Sequence, residues 1–314
     1  MTEVLASFGQ RVRKRLGIRL GRLSQFAPQP LARYQQVRVG HTVLPDLPDS
    51  GLPTPSVSGH DWPSFIIVTP SYNQAQFIGR TIASVLNQNY PRLEYIVQDG
   101  QSNDGTQAVL DGLSGQGVTV RIEADAGQAD AINRGFMGTE GEIMAYLNSD
   151  DLLLPGTLEM VAHYFDNHPE VDAIYGDRLI IDETDSVIGH WRLPYHDGWA
   201  MRTVYYVPQE TLFWRRRAWK KVDESFNSDL HFAMDWDFLL RLQQKGMQIR
   251  HVPRFLGAFR VHAAQKTIAN IAHGRQEMQY LRHRHSSLSC LFIAQFRHVW
   301  LLVRHVWQEM SDPL

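Results

Sequence analysis

Little in this chain can be cross-linked or threaded through a membrane. It has one cysteine, Cys290, in 314 residues. That excludes an internal disulfide and any cysteine metal cluster, and a lone thiol suits a reducing cytosol. No run of 18 or more apolar residues occurs, so no segment reads as membrane-spanning. The nearest stretch, Leu288–Trp307, is interrupted by Gln295, Arg297, His298, Arg304 and His305. The first residues lack an apolar core followed by a cleavage site, so no secretory signal is read. The formal net charge of −2 leaves no basic field for a nucleic-acid partner. No Gly-x-Gly-x-x-Gly follows the first strand-like run, which argues against a dinucleotide enzyme.

The length and the hydrophobic share of 43% supply a core for one large α/β domain with appendages, or for two small domains. Residues 1–63 stand apart from it. Arg11, Arg13, Lys14, Arg15, Arg19 and Arg22 make a basic segment, and seven prolines between Pro28 and Pro63 make an arm or linker. From Ser64 the pattern alternates. Strands are expected at 65–69, 93–97, 118–122 and 143–147, with helices at 77–86, 106–113 and 128–136 between them. This order implies right-handed crossovers, a mostly parallel sheet and a ligand crevice beyond the strands' carboxyl ends. Beyond Pro155 the spacing predicts a helix at 157–165, strands at 173–175, 179–181 and 211–214, and a helix at about 235–244. The tail from Ile268 onward reads as helical. The expected divisions are thus 1–63, a catalytic region 64–267 that splits near 152, and a tail 268–314.

Polar residues cluster at the expected strand ends. Thr69-Pro-Ser-Tyr-Asn73 is a sharp turn with free backbone donors. Asp99 ends the second strand before glycine-rich Gly100–Gly105, where a carboxylate can accept from a base or ribose. Asp125-Ala-Gly-Gln-Ala-Asp130 leads into Asn133 and Arg134, and Asp125 reads equally as a helix cap. Asn148-Ser-Asp-Asp151 places an amide and two carboxylates where an apolar strand stops. That set suits Mg²⁺ or Mn²⁺ shared with substrate phosphates, although Asp151 alone also suits a cap. Asp235 and Asp237 open a helix two residues apart and so cannot share a face. One can cap while the other meets an acceptor hydroxyl as general base.

The order of these pieces is distinctive. The blocks VTPSYNQAQFIGRTIASVLNQNYPRLEYIVQDGQSNDGT, EADAGQADAINRGF, GEIMAYLNSDDLLLPGTL and HFAMDWDFLLRL resemble family-2 inverting glycosyltransferases with a GT-A fold, over about 65–267. The resemblance implies a donor pocket lined by Thr69, Pro70, Tyr72 and Asn73, with Asp99 near the base. It implies that Asp125 and the segment carrying Gln128, Asp130, Asn133 and Arg134 also approach the donor. The family's Asp-x-Asp metal motif falls on Asn148-Ser149-Asp150, making Asp150 the first metal ligand, with Asp151 beside it. The Glu-Asp motif falls on Met234-Asp235, which makes Asp235 the base and Asp237 its substitute. His262, after Phe259-Arg-Val, resembles a late histidine that approaches the metal or diphosphate. Gln209, Glu210 and Trp236 fall on the acceptor side. The processive synthases' Gln-x-x-Arg-Trp motif is not found in the expected region, which implies one sugar per event.

The implied partners are a nucleotide-sugar, a UDP-sugar by default, and a glycan or lipid-linked acceptor in cell-surface polysaccharide synthesis. The implied place is the cytoplasm or the inner membrane's cytoplasmic face. Leu288, Leu291, Phe292, Phe296, Val299, Trp300, Val303 and Trp307 would form an apolar helical stripe flanked by cations. Such a stripe suits packing on the catalytic region, a second copy, or an anionic membrane surface. Two rival readings are a sugar-phosphate nucleotidyltransferase and a non-catalytic nucleotide-sugar-binding homologue. The first would show a basic glycine-rich first loop; Asn148 and Met234 favour the second.

Overall fold

The computed structural model describes residues 62–113, 115–193, 195–263 and 271–285. The basic segment, most of the proline-rich arm and the stripe at 288–307 lie outside these residues.

The first half alternates as the periodicity predicts. Strand β1 (Phe65–Ser71) is buried along its whole length, the mark of a strand covered on both faces. Helix α1 (Ile78–Leu86) has no side-chain cap and is held by Ile78, Ile82 and Val85, one buried stripe at helical spacing. β2 (Leu93–Asp99), α2 (Thr106–Leu113), β3 (Thr119–Ile122), α3 (Gln128–Phe136) and β4 (Ile143–Tyr146) follow. β1 pairs in parallel with β2 on one side and with β4 on the other, and β3 adds to β2. The chain therefore leaves β1 in one direction and returns on its opposite flank. That reversal opens a crevice at the carboxyl ends of β1 and β4.

The second half is mixed. β5 (Leu152–Leu153), α4 (Thr157–Asn167), β6 (Ala173–Ile181) and β7 (Val187–Trp191) precede α5 (Gly198–Met201). Asp197 caps α5 by accepting from the Trp199 and Ala200 N–H groups. A 3₁₀ turn at Gln209–Thr211, β8 (Phe213–Arg215), α6 (Arg216–Lys221), α7 (Met234–Gln244), β9 (Ile249–Arg260) and α8 (Ile271–His285) complete it. The sheet order is β3-β2-β1-β4-β8-β6-β9-β5, with β7 beside β6. β8 runs antiparallel to β4 and β6, while β6 and β9 form a long parallel ribbon that shifts register near Asp177.

One core lies on each face of the sheet. Ile67, Tyr95, Val97 and Leu147 pack with α1 and α4. Val68, Tyr146, Tyr175 and Trp214 pack with α3, α6, α7 and α8. Trp214, Trp219, Phe226 and Phe238 interlock at 4.8–6.1 Å between ring centroids. Such contacts add roughly 0.5–1.5 kcal/mol per pair beyond burial, and they seat α7 against the sheet.

The sequence expectations at 173–175 and 179–181 merge into one strand, and the expected strand at 211–214 is a 3₁₀ turn followed by β8. β7 and the twelve-residue β9 were not expected. Among the described residues no helix is long and apolar enough to cross a membrane.

Candidate active site

The loops after β1 and β2 are laced together. Asn73 has a left-handed backbone, φ 54°, and its side-chain oxygen accepts from the Asn103 N–H at 2.9 Å. Ser102 Oγ accepts from the Asn73 N–H at 2.8 Å and donates to Asp99 at 2.7 Å, and the Ser102 N–H donates to the other Asp99 oxygen at 2.8 Å. Asp99 is fully buried, so its carboxylate organises this turn from below. Thr69 is likewise buried and shares a hydrogen bond with Tyr95 at 3.0 Å. Pro70 is buried beside it, whereas the Tyr72 ring is 61% exposed.

Gly100 explains how the turn meets the next segment. A Cβ there would stand 2.6 Å from Asp125 Oδ2 and 3.4 Å from the Tyr72 ring, so any larger residue would displace the Asp125 carboxylate. Asp125 accepts from the Gly127 N–H at 2.8 Å, yet burial lifts its pKa above the ordinary carboxylate value. Asp130 accepts from the Ala126 N–H and pairs with Arg134, both at 2.9 Å. Asn133 holds the Phe226 backbone through both its N–H (2.8 Å) and its carbonyl (2.9 Å). It therefore tethers the chain ahead of α7 to α3.

The β4 end is the second centre. Gln128 Nε2 donates to Asn148 Oδ1 at 2.6 Å, joining α3 to this strand end. Asp150 and His262 meet, with Oδ2 and Nε2 3.0 Å apart. His262 is backed by the Phe77 ring at 4.5 Å. Asp151 is 1% exposed; it accepts from the Arg260 N–H at 3.0 Å and from Asn148 Nδ2 at 3.3 Å. Burial raises its pKa well above the usual carboxylate range, and Asp150 adds to the shift. Asp151 thus faces the protein, and Asp150 stays partly exposed beside His262. Ser149 is buried, its carbonyl accepting from Thr81 at 2.9 Å. Glu210 pairs with Arg178 at 3.6 Å, but burial outweighs that attraction and raises its pKa. Gln209 donates to the Tyr146 carbonyl.

The third centre is the start of α7. Asp235, 7% exposed, accepts from the Tyr205 hydroxyl and from the Trp236 N–H at 2.9 Å. Asp237 is instead bound to Arg241 at 2.7 Å, one turn along the same helix. Arg241 also donates to the Val222 and Ser225 carbonyls. Trp236 is fully buried, with its indole N–H on the Met201 carbonyl at 2.7 Å. It packs in the core, away from any exposed surface. Tyr146, buried on β4, accepts from Gln209 through its carbonyl and packs its ring on Phe226. Burial first, then the charges of Asp235, Asp151 and Glu210, hold its phenol far above the ordinary value.

Three residues of this surround carried no sequence expectation. Arg260, fully buried, donates from Nε to the Asp150 carbonyl at 2.7 Å and lies over the Phe77 ring. Its position two residues before His262 was the available signal. Arg178 is sandwiched between the Trp191 and Phe259 rings, and Tyr205 reaches Asp235 from 30 residues away. Neither has a local signature.

Among the described residues no group of three or more His, Cys, Asp or Glu side chains could hold a metal unaided. The chemistry of Asp150 with His262 nevertheless fits a hard divalent cation that takes its remaining oxygens from a diphosphate and water.

A parallel strand–helix half that reverses at β1, a second half of mixed strands, and acidic residues at the β4 end form a GT-A-type fold. The likeness extends to solved structures. The mannosyltransferase PcManGT from Pyrobaculum calidifontis, in complex with GDP-Man and Mn²⁺, matches with a TM-score of 0.57 at 17% identity, covering 76% of this chain and 70% of that one. S. aureus TarS 1–349 with UDP-GlcNAc matches with a TM-score of 0.55 at 19% identity, covering 66% and 61%. The chain belongs to glycosyl transferase family 2, whose profile matches residues 66–242. An uncharacterised glycosyltransferase of Haemophilus influenzae is 24% identical over 217 residues, 65% of this chain and 67% of that protein. A chondroitin synthase of Pasteurella multocida is 27% identical over 215 residues, which is 68% of this chain but 22% of the synthase.

Proposed function

We propose that the protein transfers one sugar from a nucleotide-sugar to an acceptor hydroxyl with inversion, Asp235 acting as general base. The observation that carries this reading is the contrast at the start of α7, where Tyr205 donates to Asp235 while Asp237 is taken up by Arg241, beside a β4 end at which Asp150 meets His262. A base and a diphosphate-binding centre must flank one anomeric carbon, and Asp235 and Asp150 are the carboxylates proposed for those two roles.

Tyr72, Gly100 and Asp125 would border the nucleoside, and Gln128 with Asn148 would orient the β4 end beneath the diphosphate. Asp150 and His262 would hold Mg²⁺ or Mn²⁺, which when bound offsets charge on the departing diphosphate. Tyr205 donates to one oxygen of Asp235, leaving the carboxylate as an oriented acceptor for the hydroxyl proton. Attack opposite the leaving group gives one inversion. Asp237, neutralised by Arg241, serves α7 itself. The donor class follows the matched structures, one holding UDP-GlcNAc and the other GDP-Man, with a UDP-sugar as the first choice. A glycan acceptor in polysaccharide synthesis is in keeping with the chondroitin synthase relative, and a lipid-linked acceptor at the cytoplasmic face is the companion proposal.

The test is nucleotide release from UDP-GlcNAc and GDP-mannose with Mn²⁺, by the full chain and by D150A. Release that D150A loses supports the reading. Equal release by both proteins contradicts the role of Asp150.

A further inference from the structure

Helix α7 carries Asp235 in its first turn but has no cap of its own. Ala233 occupies the N-cap position, where no side chain accepts a hydrogen bond. The chain entering this helix therefore needs an acceptor from elsewhere. It comes from α8. Glu277 Oε1 accepts from the His231 N–H, and Oε2 accepts from both Phe232 and Ala233, each at 2.8 Å. Three successive backbone N–H groups thus converge on one carboxylate that is 7% exposed. This is an anion nest filled from within the protein, and the charge also suits the positive end of α7.

The surroundings show that α8 is fitted to this task. Gly274 lets it close on the turn, since a Cβ there would stand 2.7 Å from the Phe232 ring. Met278 and Leu281 are buried in the same core as Trp236. Arg282 donates to the Thr203 carbonyl at 2.8 Å and lies 5.8 Å from the Trp236 ring centre. Thr203 is two residues from Tyr205, the partner of Asp235. His231 in turn packs against the Gly127 turn on the donor side. One helix therefore braces the base, the tyrosine that orients it, and the edge of the donor loop.

We propose that Glu277 is a positioning residue for glycosyl transfer: its carboxylate fixes the entry to α7 and so aims Asp235. This rests on the reading of Asp235 as base. An uncapped entry would let the first turn fray, and a base displaced by about 1 Å loses on the order of a hundredfold in rate.

The experiment uses the full chain with E277Q and E277A. It measures amide exchange at residues 231–237, thermal melting, and kcat and KM for nucleotide release from UDP-GlcNAc and GDP-mannose. E277Q keeps its shape and one acceptor oxygen, so it should melt cooperatively while exchange at 231–233 accelerates about tenfold or more. Its kcat should fall about tenfold with KM within about twofold, and E277A should fall further. Unchanged exchange in E277Q overturns the cap. Unchanged kcat, or a rise in KM alone, overturns the positioning role. D235N, run in parallel, separates the two claims: full activity there removes the base, and with it the catalytic half of this proposal, while the exchange data still decide the cap. If E277A fails to fold, E277Q decides.

Discussion

The Tyr205 hydroxyl donates to Asp235, and the Tyr205 ring stacks on Trp236 with 6.1 Å between centroids. The phenol is kept protonated by burial and by the Asp235 charge, so it remains a donor at all working pH values. Removing it in Y205F should lower kcat about tenfold. It should also move the acid limb of the kcat profile to higher pH, because the charged carboxylate loses a hydrogen bond. A pH–rate profile of Y205F beside the parent checks both; an unmoved acid limb would contradict the assignment.

The strand and helix ends that carry the candidate residues were legible in the sequence, for a physical reason. Asp150 and Asp151 sit where the apolar run of β4 stops, and Asp235 sits where the apolar run of α7 begins; such boundaries announce themselves. The parallel strands β1, β2 and β4 were legible for the same reason. β9 was not, because Arg250, His251, Pro253 and Arg254 break its pattern. β6 was divided in the sequence reading because Gly176, Asp177 and Arg178 interrupt it, yet those side chains find partners in the fold. Asp177 meets His251 at 2.7 Å and Arg178 meets Glu210. Polar residues paired across a ribbon read as loop in one dimension. The choice between Asp235 and Asp237 needed the Arg241 and Tyr205 contacts, and only the former lies within one helical turn.

Metal dependence should be strong. Excess EDTA should abolish nucleotide release, with recovery on adding Mn²⁺. D150A should weaken UDP binding measured with Mn²⁺ by about tenfold or more, and H262A by less. Calorimetric titration of UDP into each variant, with and without metal, checks the order. Full release in EDTA would remove the cation from the account.

Arg260 should matter for stability more than for chemistry. Its guanidinium binds the Asp150 and Asp182 carbonyls and pairs with Asp185. R260M should lose about 3 kcal/mol or more of unfolding free energy, since the Asp150 carbonyl would lose its donor and a buried cation its place. Asp185 would keep Arg80, and the Asp182 carbonyl would keep the Asp185 N–H. Urea titration measures it; a loss within 0.5 kcal/mol, roughly the scatter of surface substitutions, would contradict the arrangement.

The acid side of the stability profile should carry a signature of His196. Burial lowers its pKa from 6.5 to about 4. Between these values the unfolded chain binds a proton that the native protein refuses, so stability should fall as pH drops from about 6.5 towards 4. The slope can approach about 1.4 kcal/mol per pH unit. H196Q should flatten this slope without changing stability above pH 7 to the same degree. Melting curves across this range test the sign.

The account stands on Asp235. The most direct measurement compares D235N, D237N and the parent protein for nucleotide release with Mn²⁺, alongside UDP affinity by calorimetry. D235N should lose about a hundredfold or more in kcat with UDP affinity within about threefold, while D237N keeps turnover in proportion to the protein that remains folded. An active D235N beside an inactive, folded D237N would contradict the assignment of the base.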